Sequence, residues 1–131
     1  LTEVQPGFVY GLDDQPYNKQ FAIVCEGQID AIHIEGCALG GSEISDQQAM
    51  LLNRLQKQII VVPDRDTAGS KLVERAIELG FSISMPEWAP DINDTGDAVT
   101  RYGRLYALYS IATSATDSAL KTRLRAKKWF D

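Results

Sequence analysis

The chain has 131 residues, 44% apolar and 24% charged, with a formal net charge of −5, which suits one soluble domain with a buried core. No apolar run approaches the roughly 20 residues of a membrane helix and no signal peptide opens the chain, which argues against a membrane partner. Cys25, Cys37 and the lone His33 cannot build a zinc ribbon, so no zinc is expected, and both cysteines read as small buried residues of a reducing cytoplasm.

Residues 1–20 are rich in Gly, Pro and Asp without a clear period, and with Leu1 in place of Met they read as the tail of an upstream subdomain in a longer protein. An apolar run over 21–25 predicts a first strand, stopped by Glu26-Gly27. Residues 28–36 follow as a helix with Ile29, Ile32 and His33 on its apolar face and Gly36 as its C-cap. Residues 37–39 form a short second strand. Ser45 with Gln48 three residues on is a capping-box signature for a helix carrying Ala49, Leu52 and Leu55. The β-branched run Ile59-Ile60-Val61-Val62 reads as a buried third strand. Residues 68–79 form a helix closed by Gly80, and 81–85 a fourth strand alternating apolar residues with serines. This β-α-β-α-β-α-β order with short connections predicts a parallel four-stranded sheet flanked by helices. A loop over 86–96 precedes short helices over 97–103 and 105–114, and a last helix capped by Thr116 or Asp117 runs to about residue 128.

Charge is unevenly spread. Residues 1–100 hold 6 Lys/Arg against 16 Asp/Glu, and residues 101–131 hold 7 against 2. An acidic body beside a basic tail fits a metal-binding core next to an anion-binding or packing segment, although a solvated helical face gives the same pattern. Three strand ends carry acids: Glu26 with Asp30, Asp64 with Asp66, and Asp91 with Asp94. In a parallel sheet these ends share one edge, where ligands bind. Carboxylates gathered there repel one another and raise each other's pKa values, a cost that bound cations remove. Hard carboxylates suit Mg²⁺, and paired divalent ions are a common device for phosphoryl displacement. Taken alone, an Asp-x-Asp such as Asp64-Arg65-Asp66 is more often a turn element than a ligand; three acidic strand ends in one series shift the balance toward a site.

At Glu26-Gly27-Gln28-Ile29-Asp30, Asp64-Arg65-Asp66-Thr67-Ala68-Gly69 and Asp91-Ile92-Asn93-Asp94 the chain resembles the TOPRIM superfamily. That catalytic domain is shared by bacterial-type primases, type IA and II topoisomerases and some nucleases. The Trp88…Asp91-Ile92-Asn93-Asp94 segment and the basic C-terminus are similar to those of bacteriophage primases. The resemblance spans residues 10–128 and implies a Rossmann-like α/β catalytic core over 21–97 and a basic helical extension over 98–131.

It also implies roles. Glu26, Asp64 and Asp66 would be catalytic, with Glu26 as general base or metal-proximal acid. Glu26, Asp64, Asp66, Asp91 and Asp94 would hold Mg²⁺ or Mn²⁺, with Asp30 supporting the acidic edge. Gly27 and Gly69 would let backbone approach phosphates, or serve turn geometry alone. Arg65 would touch a phosphate or point to solvent. The implied chemistry is nucleotidyl transfer from nucleoside triphosphates on single-stranded DNA, passing through an RNA–DNA hybrid, in the cytoplasm of a cell or of a phage host. A TOPRIM nuclease or topoisomerase would use the same acids. For a topoisomerase nucleophile, Tyr102, Tyr106 and Tyr109 stand at a helical spacing that favours packing. A non-catalytic module is a third reading. There Leu120, Leu124 and Trp129, alternating with Lys121, Arg125 and Lys128, would dock a replicative helicase; the same residues otherwise lid the sheet.

Overall fold

The computed structural model describes residues 7–131. Strands β1 (Phe21–Cys25), β2 (Cys37–Ala38), β3 (Gln58–Val61), β4 (Ser82–Ser84) and β5 (Ala115–Thr116) form one sheet in the order β2-β1-β3-β4-β5. The first four are parallel, with Val24 opposite both Cys37 and Val61, and Val61 opposite Ile83. The fifth was not expected from the sequence. It runs antiparallel to β4, with Ile83 opposite Thr116, and its two residues carry no periodicity that would announce a strand. Covered on both faces, β1 and β3 are buried runs rather than alternating ones. The serines of β4 are buried as well: Ser84 donates to the Ile111 carbonyl, and Ser82 accepts from Gln58.

The helices are α1 (Gln28–Ile34), α2 (Asp46–Asn53), α3 (Thr67–Leu79), α4 (Thr95–Tyr102), α5 (Arg104–Ser114) and α6 (Ala119–Trp129). Right-handed crossovers place α1 on one face and α2 and α3 on the other. The helices α1, α4 and α5 pack together, and α6 packs on α3. The predicted capping box is present at Ser45 and Gln48, and Gly80 closes α3 in the left-handed region. Two caps differ from expectation. Ser118, not Thr116 or Asp117, caps α6. Glu35, not Gly36, takes the left-handed position after α1. Gly36 serves another purpose, since a Cβ there would lie 2.6 Å from the Ile23 carbonyl.

The expected apolar face of α1 is also corrected. Asp30, Ala31 and Ile34 are buried, whereas Ile29 and Ile32 are 72% and 58% exposed. The helix turns a carboxylate inward, toward the site, and the isoleucines follow outward. The residues before β1 are part of the same core: Val9 is buried, and Tyr10 exchanges backbone hydrogen bonds with Ala38. At the other end Ala107, Ile111 and Trp129 join that core too. Among the described residues no helix is long and apolar enough to cross a membrane.

Candidate metal centre

The strand order locates the site. The connection from β1 leads to β2 on one side, and that from β3 leads to β4 on the other. The crevice beyond the carboxyl ends of β1 and β3 is therefore a topological switch point, where such sheets bind ligands. Glu26 follows β1, and Asp64 and Asp66 follow β3. One carboxylate oxygen from each of the three lies within 4.8 Å of the others.

Local hydrogen bonds fix this cluster. The Asp64 backbone N–H donates to Glu26 Oε2 at 2.6 Å. Asp66 caps α3, accepting from the Gly69 N–H at 2.8 Å. A Cβ on Gly69 would sit 2.2 Å from the Asp64 carbonyl, so glycine is required for the turn itself. Gly27 stands just before α1 and offers no side-chain cap.

Burial pushes the Glu26 carboxyl up to about 7; the Asp64 N–H opposes this, and Asp66 and Asp30 add to it. Asp64 is pushed up to about 8, by burial first and then by Glu26, Asp30, Asp94 and Asp66. Among the described residues this is where several carboxylates resist ionising together. The donor set consists of hard oxygens, and a divalent cation would relieve the repulsion, so the residues fit Mg²⁺ or Mn²⁺.

Asp30 and Asp94 form a neighbouring pair. Asp30 accepts from the Gly96 N–H at 2.8 Å. Burial raises its pKa, and the adjacent Asp94 carboxylate raises it further. Asp94 also caps α4, accepting from the Asp97 N–H at 2.7 Å. Asp91 stands apart from the cluster. It is exposed and ion-paired with Arg101 at 2.6 Å, which holds its pKa below the usual carboxylate value. One block of sequence thus sends its two aspartates to different places: Asp94 toward the acids and Asp91 to the surface.

Arg65 does not point freely to solvent. Its guanidinium donates to the carbonyls of Ala89 (2.7 Å), Ile92 (3.1 Å) and Trp88 (3.1 Å). Its guanidinium carbon lies 4.1 Å from the centre of the Trp129 ring. Its backbone N–H donates to the Asn93 carbonyl at 2.8 Å. The residue between the two aspartates thereby ties their turn to the 86–94 loop and to the C-terminal helix. Trp88 completes the clamp, 5.7 Å from Trp129 between ring centres and donating to Ser110. Nothing in the spacing of Trp88 and Trp129 indicated this role; their being the only two tryptophans was the one available signal. Of the three tyrosines, Tyr102 is half-buried and accepts from the Ala89 N–H, but Tyr106 and Tyr109 are exposed. Cys25 and Cys37 are free and buried, with burial holding both thiols well above their ordinary pKa.

The model of the family described as Toprim-like matches residues 23–99, which include every acid of the cluster. The chain belongs to the Toprim-like family. A curated DNA primase of Aquifex aeolicus (strain VF5) is 30% identical over 108 aligned positions, which take in 73% of this chain and 22% of that protein. The structure of the E. coli primase catalytic core superposes on this Toprim-like domain with a TM-score of 0.67 at 21% identity. The match covers 87% of this chain and 41% of that one. A DnaG primase catalytic domain bound to ssDNA gives 0.70 at 18% identity, covering 95% and 44%. At such identities the likeness establishes the fold. The domain spans less than half the length of these relatives.

Proposed function

We propose that this domain is the catalytic centre of a DNA primase, of the kind found in bacteriophages. It would join ribonucleotides from nucleoside triphosphates on a single-stranded DNA template. The observation that carries this reading is the convergence of Glu26, Asp64 and Asp66 within 4.8 Å at the switch point of the sheet. The likeness to a curated primase supports it, as does the ssDNA held by one structural relative.

In the reaction a primer 3′-hydroxyl attacks the α-phosphorus of a nucleoside triphosphate, and pyrophosphate leaves. Asp64 and Asp66 would hold Mg²⁺ or Mn²⁺, with the neighbouring Asp30 and Asp94 adding negative charge to Asp64. Glu26 takes the proton of the attacking hydroxyl, consistent with a carboxyl that burial already brings to about 7. Ions held there would supply charge neutralisation on the triphosphate and a lowered pKa for the hydroxyl. Positioning and electrostatics do the remaining work, and the Arg65 clamp holds the two aspartates in register for it. A replicative helicase is the partner such a domain would serve in the cytoplasm of its cell or phage host. The exposed Leu120 and Leu124 of α6 offer it a surface.

Because the chain spans so little of its relatives, it is expected to bind metal without priming alone. The test uses the longer protein to which it belongs, incubated with single-stranded DNA, Mg²⁺ and all four ribonucleotides. Oligoribonucleotides that vanish in the double variant Asp64→Asn/Asp66→Asn support the proposal. Priming that survives the double change overturns it, and cut DNA without primers assigns the acids to a nuclease.

A further inference from the structure

Beside the metal centre lies a separate cavity of about 650 Å³ between α5, α6 and the loop after β4. None of Glu26, Asp64 and Asp66 lines it. Arg65, Trp88 and Trp129 form part of its wall. From α5 it is bordered by Tyr106 and Tyr109, 51% and 65% exposed. From α6 come Arg125 and Lys128. Its one acidic residue, Glu87, meets Lys128 at 3.8 Å through two highly exposed side chains, a pairing that solvent and phosphate readily replace. Arg125 donates to the Ser114 carbonyl through one nitrogen and keeps its other donors. Arg65 Nε and Trp129 Nε1 are buried without a hydrogen-bond partner among the described residues. The exposed charges of the cavity are thus two cations, Arg125 and Lys128, against one carboxylate, Glu87.

Charge points the same way. In a chain of net charge −5, α6 carries five Lys/Arg and no Asp or Glu. Of these five, Arg125 and Lys128 line the cavity and Arg123 pairs with Glu74 elsewhere, so a polyanion repelled by the acidic body would meet two cations here. Two exposed aromatic rings a helical turn apart, facing two cations across a groove, match how single-stranded nucleic acids are bound: bases stack and phosphates pair.

We propose that the groove between α5 and α6 binds single-stranded nucleic acid, with Tyr106 and Tyr109 stacking on bases and Arg125 and Lys128 meeting phosphates. This deepens the primase reading, on which it rests for the source of the strand. It gives the template a surface next to the turn that carries the metal ligands, with Arg65 common to both.

The test is fluorescence anisotropy of a short labelled oligothymidylate with this chain in EDTA, so that metal-mediated binding makes no contribution. Tyr106→Ala/Tyr109→Ala should weaken binding about thirtyfold or more, at ~1 kcal/mol or more per stacked base, and leave its salt dependence unchanged. Arg125→Gln/Lys128→Gln should weaken it and lower the slope of log affinity against log salt by about 1.4, at ~0.7 per phosphate contact. All four side chains are substantially exposed, and circular dichroism confirms that the variants fold. Unchanged affinity in both folded variants overturns the proposal. So does displacement by a polyglutamate peptide at equal charge with no effect of the tyrosine changes, which would assign the groove to an acidic protein partner. A Mn²⁺ titration of the same protein, dialysed free of EDTA, separates the two readings. Metal binding without oligonucleotide binding sinks the groove alone, and the reverse sinks the metal centre alone.

Discussion

Arg65 stacks on Trp129 while hydrogen-bonding three carbonyls of the 86–94 loop, so the C-terminal helix closes over the turn that carries Asp64 and Asp66. A planar guanidinium can satisfy three acceptors and a ring face at once, which a lysine cannot. Trp129 of the basic segment is therefore packed against the turn that carries the acids, although Leu120 and Leu124 of the same helix face solvent.

Trp129→Ala should cost about 3–5 kcal/mol, the usual range for deleting a buried tryptophan, and weaken Mn²⁺ binding severalfold by loosening the Asp64–Asp66 turn. Trp129→Phe keeps a ring face for Arg65 and should recover most of the metal affinity with a smaller loss of stability. Urea unfolding read beside a Mn²⁺ titration checks both. Stability lost with metal affinity intact would show that the clamp supports the fold and not the site.

Gly69→Ala pushes a methyl to within 2.2 Å of the Asp64 carbonyl. Backbone cannot yield as a flexible side chain does, so the cost should reach the upper end of the ~1–3 kcal/mol typical of overpacking, and Mn²⁺ affinity should fall with it. Gly41, with nothing within 4 Å of a Cβ, is the control. Its alanine variant should stay within about 0.5 kcal/mol of the parent in the same unfolding measurement.

Asp91→Asn and Asp94→Asn should behave differently despite their closeness in sequence. Asp94 raises the pKa of Asp64 and caps α4; asparagine keeps the cap, so its change should weaken Mn²⁺ binding with stability within about 0.5 kcal/mol of the parent. Asp91 spends its carboxylate on Arg101 in solvent, and its change should leave Mn²⁺ affinity within about twofold; a salt bridge so exposed contributes little. Isothermal titration of both variants with Mn²⁺ decides whether Asp91 belongs with the ligands.

The parallel core was legible because buried β-branched runs such as Ile59–Val62 and turn signals such as Gly80 act locally. The convergence of Glu26 with Asp64 followed from topology alone, since parallel strands end on one edge. What stayed hidden depended on long-range partners. Ala115 and Thr116 become a strand only because β4 has a free edge. Ile29 faces solvent because Asp30 is drawn inward to Gly96 and Asp94. Arg65 has no distinguishing neighbours in sequence, since its acceptors lie at 88, 89 and 92 and its aromatic partner at 129. A spacing argument treats Asp91 and Asp94 alike, and only the position of Arg101 separates them.

The raised carboxylates fix the sign of a pH effect. Asp64 is pushed up to about 8 from 3.8, and Glu26 to about 7 from 4.5, so the folded chain holds these protons more tightly than the unfolded one. Their contribution to stability is complete below about pH 4 and is lost as pH rises through about 7–8. Asp64→Asn removes one of the two repelling charges. In EDTA its Tm should match the parent's near pH 4 and exceed it increasingly up to pH 9, where a gap of about 4 °C would correspond to roughly 1 kcal/mol. Divalent ions should reverse the order. Mn²⁺ in hundredfold excess over its Kd stabilises the parent by about 2.7 kcal/mol, an effect present at pH 8, much reduced at pH 5 where protons hold the carboxylates, and weak in the variant. Thermal melts of parent and variant in EDTA from pH 4 to 9, and with Mn²⁺ in place of EDTA at pH 5 and 8, measure these cases. A parent that melts higher than the variant at pH 9 in EDTA would mean that these carboxylates are not held against their own repulsion, and would remove the electrostatic ground for a cation between them.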